Sequence, residues 1–388
     1  MRAGFAPWCA DLFADADLGR ACPVHRIEPA DYPQGLIAAA RAAPPGPWLY
    51  TGALENRPDI VAKIDRPLLG NPPDVLRRVR SPFLVAETLR ANGLPCSDVH
   101  AAAPTHDDGR RWLVKPRRSA GGGCIRVWRG GADFDAKRFY LQERIDGENC
   151  STVFVGDTER KAQLLGITRQ LIGEPWLHAA PFRWCGNIGP LALPNATEAT
   201  LQQIGQTLVA EFRLHGLFGI DFVLRDGLPW LLEVNPRYPA SVEVIERATG
   251  LRSMDLHCQA SLRVDPGGAD LIPRVDTATG FGAASRTSGV NQEVRRGLST
   301  VCGKAILFAE RSIEFPKHGI WDAALQMPLE DLNIPFADVP AACARIEAGQ
   351  PVCTLFAAGA TMEECFSNLQ LAARNLEESC WHRPPDMR

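Results

Sequence analysis

The stretch Leu228–Ser241, "LPWLLEVNPRYPAS", decides how this chain is read. An apolar strand ends on a glutamate, an asparagine and an arginine, each one residue apart. Side chains two apart share one face of a strand, so Glu233, Asn235 and Arg237 stand side by side while Val234 turns to the core. A carboxylate and an amide oxygen on one face suit a hard divalent cation, and an arginine beside them suits an anion. Taken alone, the triplet favours a plainer reading, a strand end whose polar face is merely wet. The preceding segment changes the balance. "LFGIDFVL" and "PWLLEVN" flank "RDGL" (225–228), which reads as a hairpin turn. That hairpin sets Asp221 across from the Glu233–Asn235 face. Three oxygen donors then converge in a way that suits a hard divalent cation such as magnesium, and a carboxylate cluster without a cation would be repulsive and costly.

Upstream, "VKPRRSAGGGCIRVW" (114–128) ends a strand on Lys115 and turns through Gly121, Gly122 and Gly123. Glycines let backbone N–H groups approach phosphate oxygens, and a lysine at the rim adds a point charge. No Gly-Lys-Ser/Thr opens a helix here, so this is not a Walker loop; by itself it reads as a glycine hairpin. In "QERIDGEN" (142–149) a strand leads into a short linker that can offer backbone groups of Glu143 and Ile145 to a base edge. Glu148 or Asn149 would accept from ribose hydroxyls.

The rest of the chain frames these pieces. Its 388 residues, with 45% hydrophobic and 22% charged, allow two or three domains with a substantial core. A net charge of -3 argues against a general nucleic-acid binder. No apolar run is long enough to span a bilayer, and the start lacks a signal-peptide pattern. The 12 cysteines show no CxxC, which reads as reduced thiols in a cytoplasmic protein with no membrane partner.

The first eighty residues alternate strands ("FAPWCADLF", "VHRI", "PWLYTG") with helices ("PQGLIAAARAA", "RPDIVAKI"), which predicts an α/β unit with a parallel sheet. Tyr50, Thr51, Glu55 and Asn56 lie in a loop where such units bind small ligands, although capping and turn chemistry account for them equally well. The opening "RAG" reads as the tail of a helix whose preceding strand and glycine loop lie upstream or are lost. Two helices follow in 71–95, then antiparallel strands from Arg111 onward, then an amphipathic helix at Thr197–Leu214 with Leu201, Ile204, Leu208, Val209 and Phe212 on one face. The glycine-rich 263–289 reads as a loop before a strand-rich C-terminal part.

"KP…AGGG", "QERIDGE", "GIDFVLRDG" and "LLEVNPR", in this order from about Arg80 to Gly250, resemble the ATP-grasp family. The resemblance implies an α/β and α+β fold in three parts. These are a Rossmann-like preATP-grasp domain over 1–80 (lacking its first strand if the opening is read as above), a two-lobed ATP-grasp module over 81–263, and a small β-rich C-terminal subdomain over 264–388. It implies ATP and Mg2+ (or Mn2+) as cofactors. Lys115 would contact phosphate, Gly121, Gly122 and Gly123 would form the phosphate loop, and Glu143 and Ile145, with Gln142 beside them, would hold adenine. Glu148 or Asn149 would meet the ribose, Asp221, Glu233 and Asn235 the metal, and Arg237 the charge on the transferring phosphoryl group. Lys115 and Arg237 are thus the expected catalytic groups.

One departure stands out. Many members carry an earlier nucleotide-contacting lysine; the corresponding place here, near Ser81–Pro82, has none, which leaves Arg78 or Arg80 to stand in.

The "YTGALEN" loop and the C-terminal segment 303–369 look most like a subgroup that includes archaeal tyramine–glutamate ligase, whose relatives occur in methanopterin-linked one-carbon metabolism. The implied reaction is amide formation: ATP phosphorylates a carboxylate to an acyl-phosphate and an amine displaces the phosphate, in cofactor biosynthesis. Partners are then small-molecule carboxylates and amines, with a homodimer as an admissible assembly. Arg169 and Arg183 are candidates for a substrate carboxylate and Trp176 or Trp184 for an aromatic face, although core packing of the tryptophans and solvation of the arginines explain each singly. Two rivals are a carboxylase-type subunit using bicarbonate, for which no biotin-bearing Met-Lys motif is present, and an ATP-binding regulatory protein without chemistry.

Overall fold

The computed structural model describes residues 3–102, 109–130, 135–262 and 300–381. Strand β1 (Cys9–Asp11), helix α1 (Ala16–Ala21) and strand β2 (Val24–Arg26) come first, and β1 pairs parallel with β2. Helices α2 (Gly35–Ala42), α3 (Pro58–Val61), α4 (Pro73–Val79) and α5 (Pro82–Ala91) follow. Proline opens the last three, at a position where a missing N–H has no helical partner to lose. The strand expected at "PWLYTG" is reduced to one parallel bridge, Trp48–Leu68. Pro47 has no N–H to offer a ladder there. Within the first eighty residues, the predicted parallel pairing is present only in these fragments among the described residues.

Strands β3 (Val99–His100), β4 (Trp112–Pro116), β5 (Arg126–Val127) and β6 (Phe139–Glu143) form an antiparallel sheet in the order β3-β6-β4-β5. Next come β7 (Glu148–Gly156), β8 (Ala162–Ile172), β9 (Trp184–Gly189), helix α6 (Asn195–Phe212), β10 (Gly216–Arg225) and β11 (Leu228–Asn235). Helices α7 (Val242–Thr249) and α8 (Ser253–Leu262) lead to the undescribed stretch that contains the glycine-rich 263–289, so that expectation lies outside the described residues. The chain resumes with β12 (Val301–Phe308), β13 (Ile313–Glu314), β14 (Phe336–Ala337), β15 (Arg345–Ile346), β16 (Pro351–Gly359) and helix α9 (Met362–Trp381).

One eight-stranded sheet runs β11-β10-β7-β8-β9-β12-β16-β14, with every neighbouring pair antiparallel. The C-terminal strands thus extend the same sheet that carries the hairpin. Helices α4, α5 and α6 cover one region through Leu89, Phe154, Ile204, Phe218 and Phe222, all fully buried. A second core gathers Leu171, Trp321, Leu355 and Leu369 beneath α9.

The hairpin forms as its sequence requires. Arg225 pairs with Leu228, and the two residues between, Asp226 and Gly227, both have left-handed φ (52° and 76°). A two-residue turn with positive φ at both positions matches strand twist, and Asp-Gly supplies it at low cost. Within β10 and β11, Ile220, Phe222 and Val234 enter the first core. Alternation within each strand, together with a bulge that shifts the register by one residue between Asp221 and Phe222, then sends Asp221, Glu233 and Asn235 to the opposite face.

Candidate active site

That face looks into a cleft of about 510 Å³, within the range of small-molecule sites. Asp221 lies directly across the ladder from Glu233, and Asn235 lies across from Gly219. Asn235 Nδ2 donates to Asp221 Oδ2 at 3.0 Å, and Gln170 Nε2, from the inner strand β8, donates to Asp221 Oδ1 at 3.0 Å. Burial raises the Asp221 pKa to about 6, and the like charge of Glu233 adds to it. Burial pushes Glu233 upward too, but the Arg80 guanidinium and Lys115 outweigh it and hold that carboxyl below its usual range. One carboxylate is therefore stable as an anion and its neighbour resists ionisation. Two facing carboxylates with an amide oxygen beside them form an all-oxygen donor set that fits a hard cation such as Mg2+.

Lys115 reaches the site from β4 of the small sheet and is buried at 8% exposure. Its Nζ donates to Gln142 Oε1 at 2.8 Å, and Gln142 Nε2 donates to Ser97 Oγ (2.7 Å) and the Leu232 carbonyl (3.0 Å). Gln142 thus aims the lysine and ties the small sheet to β11. Gly121 and Gly122 line the cleft with φ of 65° and 77°. At Gly122 a Cβ would fall 1.9 Å from the Phe182 carbonyl oxygen, and Trp184 N donates to the Gly121 carbonyl at 3.1 Å. The glycine turn is folded against the 182–184 segment because only glycine permits that approach.

Of the expected contacts, Glu143, Ile145 and Asn149 line the cleft with Lys115, Gln142 and Arg237. Gly123 and Glu148 are not part of its lining. The Glu143 N–H is already donated to the Asp98 carbonyl at 2.8 Å, so that group is not turned toward a bound base.

The substrate-site candidates divide. Trp184 lines the cleft, with Nε1 donating to Asn187 Oδ1 at 2.9 Å. Trp176 instead packs edge-on against Phe366. Arg183 donates to the Gly349 carbonyl (2.9 Å) and lies 4.3 Å above the Phe308 ring, while Arg169 lies over Phe366. These two arginines are packing groups, outside the cleft lining.

The two stand-ins for the missing lysine also separate. Arg78 donates to the Glu211 carbonyl at 2.9 Å and covers Phe212. Arg80, at the end of α4, bonds Glu233 Oε1 and the Val234 carbonyl (3.0 Å). Sequence reading missed Gln170. Its signal was a polar side chain two residues after Thr168, on the same face of the strand, but its partner was decided only by the pairing of β7 with both β8 and β10.

Residues 81–241 match the family model of the ATP-grasp domain. The biotin carboxylase domain of 2-oxoglutarate carboxylase from Hydrogenobacter thermophilus, solved with MgADP and bicarbonate, superposes at a TM-score of 0.67 over 95% of this chain and 84% of that one, at 13% identity. The fold is ATP-grasp. The L-amino acid ligase of Bacillus licheniformis superposes at a TM-score of 0.61 with 15% identity, over 98% of this chain and 100% of that one. An uncharacterised protein of Methanocaldococcus jannaschii is 27% identical over 140 residues, which is 34% of this chain and 32% of that protein. The chain therefore spans about a third of this curated relative. No helix among the described residues is long and apolar enough to cross a membrane.

Proposed function

We propose that the protein is an ATP-dependent carboxylate–amine ligase that forms an amide through an acyl-phosphate. The observation that carries the reading is the meeting of two half-sites across one cleft: Asp221, Glu233 and Asn235 on the hairpin, and Lys115 with Gly121 and Gly122 on the small sheet. ATP with Mg2+ would supply an activated phosphoryl group and neutralise its charge.

The chain's own residues do the rest. Asp221, Glu233 and Asn235 would hold the cation. Lys115, aimed by Gln142, would bind phosphate oxygens, and the turn at 121–123 would present backbone N–H groups to them. The strand end at 142–145 would take the adenine, and Glu148 or Asn149 the ribose. Arg237 would stabilise the transferring charge or orient the carboxylate. No side chain need act as a covalent nucleophile. The segments 1–80, 81–263 and 264–388 would serve as preATP-grasp, ATP-grasp and C-terminal units. Addition of an amino acid such as glutamate during cofactor biosynthesis is the substrate class we favour.

The likeness to a carboxylase domain bound to bicarbonate supports one alternative, a carboxylase reaction. ADP release from MgATP, screened against amino acids and small carboxylic acids, tests the choice. Amine-dependent release, lost in Glu233→Gln, is the expected result. Release that needs bicarbonate and no amine selects the alternative, and unchanged turnover in Glu233→Gln refutes the cation assignment.

A further inference from the structure

A single helical turn at Leu54–Asn56, far from the ATP-grasp motifs in sequence, touches both arginines of the site. Glu55 is buried at 1% exposure, and its Oε1 accepts from Arg237 Nε at 3.1 Å. Arg237 in turn points Nη2 at Asn235 Oδ1 (3.4 Å) and Nη1 at the Tyr238 carbonyl (3.1 Å). The next residue, Asn56, accepts from Arg80 Nη2 at 3.1 Å through Oδ1. Its Nδ2 donates to the Ser119 carbonyl at 3.0 Å, an oxygen that also accepts from Arg80 Nη2 at 3.3 Å. Ser119 opens the glycine turn, so Asn56 and Arg80 tether its start while Trp184 holds Gly121.

Charges alternate through this cluster. Arg237 faces Glu55, the field of Glu55 reaches Arg80, and Arg80 is paired with Glu233. The second Glu55 oxygen is buried with no hydrogen-bond partner. A carboxylate left in that state is costly unless cations balance it, and Arg237 and Arg80 are the cations present.

We propose that Glu55 and Asn56 are positioning residues of the ATP site. Glu55 sets the orientation of the Arg237 guanidinium against Asn235. Asn56 holds Arg80 against Glu233 and against the start of the glycine turn. The inference rests on the ATP-site reading above and adds to it two residues outside the four motifs between Arg80 and Gly250.

Because the two act through the arginines, double-mutant cycles separate positioning from general stability. The readouts are MgADP affinity by calorimetry and the rate of ADP release from MgATP, on the full chain. Glu55→Gln keeps the shape but removes the charge. It is expected to bind MgADP within threefold of wild type, or tighter because a nearby anion is gone, while ADP release falls at least tenfold. In an Arg237→Ala background the same substitution is expected to change release by no more than twofold. Additive losses in that cycle, or release within twofold of wild type in Glu55→Gln alone, overturn the proposal. If Glu55→Gln does not fold, Asn56→Ala with Arg80→Ala forms the equivalent cycle and is judged by the same criteria. A wild-type chain that neither binds MgADP nor releases ADP refutes the ATP-site reading itself, which is a different failure from additivity in a protein that turns over.

Discussion

Replacing Asp221 with asparagine gives the sharpest test of the two facing carboxylates. In the folded chain the Asp221 pKa rises from 3.8 to about 6. An acid that holds its proton more tightly when folded destabilises the fold once ionised. At about 1.4 kcal/mol per pH unit, the cost at neutral pH is about 3 kcal/mol. It begins as pH rises past 3.8, is about half developed near pH 5, and is complete above about pH 6. The amide introduced by Asp221→Asn would keep the bond from Gln170, since a side-chain oxygen remains, but would set one amide nitrogen against that of Asn235. Losing that hydrogen bond costs about 1 kcal/mol.

The metal-free variant is therefore expected to be about 2 kcal/mol more stable than wild type at pH values near neutrality. For a chain of 388 residues that raises the thermal midpoint by on the order of 2–3 °C. Thermal melts in EDTA measure it, and the advantage should shrink as the solution is acidified toward the ordinary carboxylate range. Adding MgADP should reverse the ranking. Wild type gains about 2.7 kcal/mol at one hundred times its Kd, whereas the variant, lacking one of the carboxylates proposed to hold the cation, is expected to gain less than about 0.5 kcal/mol at the same concentration and so to fall below wild type. A variant that melts below wild type in EDTA and still gains fully from MgADP would refute the reasoning.

Two further outcomes follow from packing. Gly122→Ala forces a Cβ into the Phe182 carbonyl at a backbone φ of 77°, so the turn must shift; MgADP affinity is expected to fall tenfold or more, with the global melting temperature nearly unchanged. Arg183→Ala removes a cation over Phe308 and a bond to the Gly349 carbonyl. It is expected to cost about 1–2 kcal/mol of stability and leave ADP release within twofold of wild type, so a selective loss of turnover would return Arg183 to the substrate site.

Local patterns carried much of this protein into view. The period-2 alternation in "GIDFVL" and "LLEVN", joined by Asp-Gly, determined the hairpin and its turn, but the register that sets Asp221 across from Glu233 depends on a bulge between Asp221 and Phe222, since regular pairing from Arg225–Leu228 would set Asp221 across from Leu232. The helix at Asn195–Phe212 was equally legible, because its buried residues recur at helical spacing. The parallel sheet expected near the N-terminus was not resolved by pattern in the same way, since short apolar runs such as "PWLYTG" take their conformation from whichever edge lies beside them. Tertiary structure alone decided the partners: that Gln142 aims Lys115, that Gln170 reaches Asp221 from a strand two places away in the sheet, and that Glu55 and Asn56 meet arginines 182 and 24 residues distant. Two arginines, Arg183 and Arg237, differ in what they can do only because one lies on Phe308 and the other on a buried carboxylate. A hydrogen bond between distant segments depends on how sheets and helices pack, and that information is spread over the whole core rather than written beside the residues that form it.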